Sequence, residues 1–215
     1  LWVDGEKDDA TTVKERAFAA NLNVGYPLSR HLKATATLGG TWRDYAAGDD
    51  ADPAFAVPSD HFITRVEGRL SWDFEGWTAT GRWSWNLRSK WDPWGFAGNP
   101  EWDEGKDQFR LYSASLAKTF ELPRFQRIDV NASYLGTSNA DRFSKIQFGF
   151  YGGASLRGFR SGSLRAEEAV TGKLAYGVVV GKLFRLQALY DHAVVKDPAA
   201  GLDWANFGGA GVSGQ

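Results

Sequence analysis

The chain has 215 residues, and 25 lysines and arginines against 26 aspartates and glutamates leave it a net charge of −1. That balance excludes a basic nucleic-acid surface and an acidic solvating tail. With no cysteine there is no disulfide framework and no thiolate metal site. Ten Trp, 14 Phe and seven Tyr are more than a soluble core of this size asks for, whereas membrane barrels set aromatic girdles at both lipid interfaces. No apolar run approaches the roughly 18 residues that a membrane helix needs.

The stub Leu1 to Val3 reads as the end of a strand, so the chain is expected to begin inside a sheet. Phe18, Ala20, Leu22, Val24 and Tyr26 then form an apolar face. The residues between them are small or polar: Ala17, Ala19, Asn21, Asn23 and Gly25. This is period two over about nine residues, the length that crosses a bilayer in a tilted strand. After a tight connection, Leu32, Ala34, Ala36, Leu38 and Trp42 point one way and Lys33, Thr35, Thr37, Thr41 and Arg43 the other. The third strand opposes Phe62, Val66, Leu70 and Trp72 to Arg65, Glu67, Arg69, Ser71 and Asp73. In the fourth, Trp77, Ala79, Trp83, Trp85 and Leu87 oppose Thr78, Thr80, Arg82, Ser84, Asn86 and Arg88. A soluble sandwich also alternates. Here, however, the tryptophans lie on the apolar face and the other face mixes Arg, Glu, Thr and Asn, as a watery lumen would.

Five further segments follow: Arg110 to Phe120, Phe125 to Leu135, Val170 to Val180, Phe184 to Val194, and Asn206 onward. Short connections (Pro27 to His31, Asp73 to Gly76, Glu121 to Arg124, Gly181 to Leu183) alternate with long ones (Asp44 to His61, Ser89 to Asp107, Gly136 to Ala169, Val195 to Ala205). Short periplasmic turns and long outer loops are the habit of outer-membrane barrels. This parity assigns Phe143 to Phe150 to a long loop, although Ile146, Phe148 and Phe150 alternate like a strand. The expected fold is an all-β, transmembrane antiparallel β-barrel. Residues 1–215 would supply about nine strands of a larger barrel of about 16, because an unclosed sheet in lipid leaves edge N–H and C=O groups unsatisfied.

The long loop carries Gly152-Gly153-Ala154-Ser155-Leu156-Arg157-Gly158-Phe159. This resembles the GG-x-x-(V/L)-RGF loop motif of the BamA superfamily of outer-membrane insertases and translocases, which includes TamA and the two-partner secretion transporters. The resemblance runs upstream through Asp141-Arg142-Phe143 and downstream to Tyr190-Asp191-His192-Ala193, similar to the family's F-x-D-x-G strand motif. At motif level it covers Leu135 to Ala193. It implies a loop over residues 136–169 that folds back into the lumen, with Arg157 paired to Asp191. Parity separately turns Arg185, Gln187, Leu189 and Asp191 inward. A guanidinium can meet a carboxylate with two hydrogen bonds, Gly158 allows a positive φ or a close backbone approach, and Phe159 would pack the loop tip. Two departures stand out: Ala193 replaces the motif's glycine, and Lys173, Ala175 and Gly177 occupy positions where a second acidic partner is usual. Glu167 and Glu168 are the candidates to replace that partner.

By resemblance, the function is insertion of outer-membrane proteins or translocation of secreted ones, without catalysis, in the outer membrane of a Gram-negative-type bacterium. Expected partners are outer-membrane lipids and lipopolysaccharide, unfolded client proteins, and periplasmic or lipoprotein partners; no cofactor and no nucleic acid are expected. The alternatives are a passive porin and a membrane anchor for an upstream hydrolase. Asp44, Asp49, Asp50 and Asp52 match no calcium loop and read as solvated. His31, His61 and His192 lack the spacing of a zinc site or a triad, and no G-x-S-x-G occurs. Arg157, Arg160 and Arg165 read as loop charge. The loop Ser89 to Asp107, with Trp91, Trp94, Phe96 and Trp102, reads as a packed cap over the barrel mouth.

Overall fold

The structure, a computed structural model, describes residues 2–3, 6–7, 10–149, 154–159, 164–180 and 184–214. Two short strands, β1 (Trp2–Val3) and β2 (Glu6–Lys7), pair with each other. The long strands are β3 (Val13–Pro27), β4 (Leu32–Ala47), β5 (His61–Phe74), β6 (Trp77–Arg88), β7 (Gln108–Leu122) and β8 (Gln126–Ser138). After the short β9 (Ile146–Phe148) and β10 (Leu164–Ala166) come β11 (Glu168–Val180), β12 (Phe184–Asp197) and β13 (Leu202–Gly214). The nine long strands form one antiparallel sheet in the order β13-β12-β11-β8-β7-β6-β5-β4-β3. Each pairs with its neighbour in sequence, except that β9 and β10 leave the sheet and pair with each other.

Three sequence expectations change. The stub at Trp2–Val3 forms its own two-residue ladder with Glu6–Lys7 and no edge of the large sheet. The connection expected from Val195 to Ala205 is strand at both ends, since Val195 pairs with Ala205 and Asp197 with Leu202. Only Pro198–Ala200, one 3-10 turn closed by left-handed Gly201 at φ 70°, separates β12 from β13. Phe125 belongs to the β7–β8 turn, where it and Arg124 take φ of 59° and 61°, and not to the strand that follows. The segment around Phe148 does form a strand, but inside the long loop and outside the sheet.

The ladders align all apolar faces on one side. Phe18, Leu22, Trp42, Leu70, Trp83, Leu174 and Tyr190 are exposed there, and an exposed apolar band of this extent is the lipid-facing wall of a transmembrane barrel. Aromatic residues mark both edges of the band. Phe74, Trp77 and Phe120 lie toward the short turns, and Trp85, Tyr112, Tyr134 and Trp204 toward the long loops. Lys118 places its ammonium 5.0 Å from the centre of the Trp77 ring, where a membrane interface favours a cation beside an aromatic.

On the same wall two glycines seat aromatic rings from an adjacent strand. A Cβ at Gly40 would lie 2.3 Å from the Phe62 ring, and one at Gly136 would lie 2.2 Å from the Tyr112 ring. Gly136→Val is therefore expected to push Tyr112 off the strand and destabilise the barrel by about 1–3 kcal/mol. Urea unfolding of the full-length protein in detergent reads this, and an unmoved midpoint would count against the ring-on-glycine contact.

The opposite face is concave. Phe143 and Lys145, two residues apart, reach opposite parts of the sheet. The Phe143 carbonyl accepts from Arg43 Nη1 of β4 at 3.0 Å, and Lys145 Nζ meets Asp197 of β12 at 2.7 Å. In a flat sheet six strand spacings, about 29 Å, would separate β4 from β12. The sheet therefore curls around the loop.

Candidate functional site: the loop in the lumen

Between β8 and β11, the described residues 139–149, 154–159 and 164–167 lie on the concave side. The β9–β10 hairpin pairs Ile146 with Ala166 and Phe148 with Leu164, and a parallel bridge joins Phe148 to Ala154. Phe148, Ala154, Leu156, Leu164 and Ala166 bury themselves against Ala169 of β11 and Ala193 and Val195 of β12. Leu156 is 2% exposed and Ala193 is fully buried. The residue that departs from the family's glycine thus floors the apolar seat of the loop motif.

Beyond Leu156 the chain turns. Gly158 adopts φ 86° with open space where a Cβ would stand, so the left-handed backbone alone calls for glycine. Arg157 Nη1 donates to Asp191 Oδ1, and the Arg157 backbone N–H donates to Asp191 Oδ2 at 3.2 Å. Asp191 is 2% exposed, so both its oxygens are engaged where an unpaired carboxylate would be costly. Phe159 packs edge-on against Phe207 of β13, ring centres 5.7 Å apart. On the same strand Gly209 admits the loop backbone: a Cβ there would stand 2.1 Å from the Arg157 carbonyl oxygen. Phe207 and Gly209 escaped the sequence reading, although glycine inside a strand signals close backbone approach.

Glu167 and Glu168 do not join this arginine, because parity and the loop take them elsewhere. Glu168 sits on the outer face at the strand end, accepting from Tyr134 Oη at 2.8 Å and Lys196 Nζ at 3.1 Å. Glu167 lies 3.5 Å from Lys145. In place of a second acid the inward face of β11 offers Lys173, directly across from Asp191 in the ladder, and its Nζ donates to Ser155 of the motif loop. A carboxylate and a lysine hold the loop from adjacent strands.

A second fastening lies at the other wall. Arg88, at the end of β6, donates through Nη2 to Asp141 Oδ1 at 2.7 Å, and neither side chain is exposed to solvent. Its guanidinium lies 3.9 Å from the centre of the Trp91 ring and 4.7 Å from that of Phe109. Phe143 packs with Phe55, Trp91 and Trp94 into one buried cluster. The loop between β6 and β7 therefore closes over the motif-bearing loop through Trp91 and Trp94, while Phe96 remains exposed. Farther along, Lys145 meets Asp197. Burial pulls the Lys145 pKa down, but the hydrogen bond to Asp197 and the charges of Glu101 and Glu167 outweigh it and leave the value raised. The lysine side of that link stays charged through neutral pH, and its contribution is lost as pH rises through the elevated value.

The remaining candidates disperse. Gly152, Gly153 and Arg160 lie outside the described residues. Arg165 donates to the Arg142 carbonyl, so Arg157 and Arg165 are engaged within the fold. Asp49 pairs with Lys14 and Asp52 accepts from the Ala54 N–H, and among the described residues no group of acids or histidines could hold a metal. His31 lies in the β3–β4 turn beside the Asp73 carbonyl, and His192 lies on β12 beside Asn206. His61 is buried beside Tyr45 and Trp91.

No protein-family profile matches the chain, and no curated protein matches it. Among solved structures it is similar to the crystal structure of BamA from Haemophilus ducreyi lacking POTRA domains 1–3, with a TM-score of 0.62 and 12% identity. The match covers 96% of this chain and 49% of that one. At this identity the likeness establishes the fold, a BamA-like β-barrel sheet, and the chain spans about half the length of the structure it matches.

Proposed function

We propose that this barrel helps outer-membrane proteins to insert, or secreted proteins to cross, the outer membrane of a Gram-negative-type bacterium. The observation that carries the reading is the Arg157 loop, bound to Asp191 on the concave face of a BamA-like sheet. The mechanism requires no bond chemistry. The barrel lowers the barrier for client strands by offering edge pairing and a locally perturbed bilayer, and the loop braces the lumen. Its partners are unfolded client proteins, membrane lipid and lipopolysaccharide, with periplasmic or lipoprotein partners beyond this chain. Three loops pack together on the concave face through Phe55, Trp91, Trp94 and Phe143, which disfavours a permanently open pore.

The test reconstitutes the full-length protein in liposomes with an unfolded outer-membrane protein and follows client folding with time. Folding faster than in empty liposomes is the expected result. Liposomes that only become leaky while the client stays unfolded would move the reading to a channel.

A further inference from the structure

Beneath the β9–β10 hairpin, between it and the sheet, lies a cavity of about 430 Å³. Arg43, Arg65, Arg82 and Lys145 line it, with Glu15 the one carboxylate among the described lining residues. The rest of the wall mixes apolar Ile63, Phe109 and Leu111 with polar Thr41, Asn86 and Gln147.

Lys145 is well matched, by Asp197, Glu101 and Glu167, but the arginines on the β5–β6 wall are only thinly matched. Glu67, outside the lining, accepts from Arg82 at 2.7 Å and lies 3.8 Å from Arg65, so two guanidiniums share one carboxylate. Glu15 is occupied by Arg43 at 3.3 Å. Arg69 stands directly across from Arg82 in the β5–β6 ladder, adding a third guanidinium to the same patch of wall. Like charges directly opposite each other are destabilising, and an anion between them relieves the repulsion. The Arg82 side chain is 42% exposed, so its unused donors face the lumen. A guanidinium carries five N–H donors in a fixed fork, more than a shared carboxylate can satisfy.

We propose that this chamber binds an acidic polypeptide segment that also carries apolar side chains, seating a carboxylate beside Arg65 and Arg82 and the apolar groups against Ile63 and Phe109. The size suits it, since ligand cavities run from about 300 to 1,000 Å³. A wholly polar anion would leave Ile63, Phe109 and Leu111 unused, and a lipid headgroup could not bring its chains into the polar lumen. The identity of the segment, part of a client in transit, rests on the proposed function; the site itself does not.

The test titrates a capped glutamate–phenylalanine–glutamate tripeptide, and its glutamine–phenylalanine–glutamine counterpart, into the full-length protein in detergent by calorimetry. The acidic peptide is expected to bind about tenfold or more tighter, the scale of charge-assisted hydrogen bonds. The double variant Arg65→Gln/Arg82→Gln removes that preference, Arg82→Lys keeps most of it, and Arg185→Gln, inward on β12 and away from the cavity, leaves it unchanged. Retention of the circular dichroism spectrum and unfolding midpoint establishes that the double variant is folded. Equal binding of the two peptides, or undiminished binding by the folded double variant, overturns the site. Accelerated client folding without this preference would sink the inference alone, whereas the preference without accelerated folding would leave the chamber and remove the proposed function.

Discussion

Arg88→Ala is expected to lower the unfolding free energy of the barrel by about 3–5 kcal/mol, because it strands Asp141 as a buried charge. Neither side chain of this pair is exposed to solvent. Asp141 Oδ2 has no hydrogen-bond partner even with the pair intact, and of the partners that serve Oδ1 only Ser144 would remain. The change also empties the space between Trp91 and Phe109, whose rings flank the guanidinium, so lost packing adds to lost charge. Both loops over the lumen should loosen together, since Phe143 and Trp94 contact edge to face at 4.9 Å. Denaturant unfolding of the full-length protein measures the stability, and conductance in planar bilayers measures the opening. Arg88→Met/Asp141→Leu, which removes both charges and keeps volume, should recover much of the loss. A single variant as stable and as closed as the parent would show that the pair does not hold the loop.

Gly209→Val should unseat the Arg157 loop from β13. The conflict sets a Cβ, fixed by the strand backbone, against loop backbone: it would lie 2.1 Å from the Arg157 carbonyl oxygen and 2.8 Å from its carbon. No rotamer change relieves such a contact, so either the loop lifts or the strand bends. Lifting the loop breaks the Arg157–Asp191 pair and the Phe159–Phe207 contact at once, an expected loss of about 2–4 kcal/mol in all. Trypsin gives a direct reading. Cleavage after Arg157, suppressed while the loop is seated, should become rapid in the valine variant while the barrel itself remains folded. Unchanged protection at Arg157 would mean that the loop does not depend on Gly209 for its place.

Period two made the wall of the barrel legible. The outward residues of β3 to β6 are where alternation puts them, because a strand exposes every second side chain to lipid and a charged residue there is expensive. The β12–β13 connection was misread because Lys196, Asp197, Pro198, Ala199, Ala200 and Gly201 look like loop, while the pairing of Asp197 with Leu202 is a property of the ladder and leaves no periodic mark. The apolar character of Phe125 points to a strand, yet it sits in the turn with positive φ.

The fastening of the loop divides in the same way. Arg157 and Asp191 were singled out by resemblance and by the parity of β12. Arg88 looked like one more lumenal cation, and its partner lies 53 positions away across the loop. Nothing local ties the two, for such pairing is set by how the loop folds back. Lys173 first looked like a missing acid, and only the ladder shows it opposite Asp191 and bonded to Ser155. Gly209 did carry a signal, since a Gly208-Gly209-Ala210-Gly211 run inside a strand asks what lies against it.

A charge swap shows whether the Arg157–Asp191 contact holds the loop in a state the activity needs. Client folding rates in liposomes would be compared for the full-length parent, Arg157→Asp, Asp191→Arg and the double swap. Each single variant is expected to slow folding by about tenfold or more, since it places like charges together in a buried site, and the double swap should restore a substantial part of the rate. Single variants as fast as the parent, or a double swap no better than either single, would contradict the account.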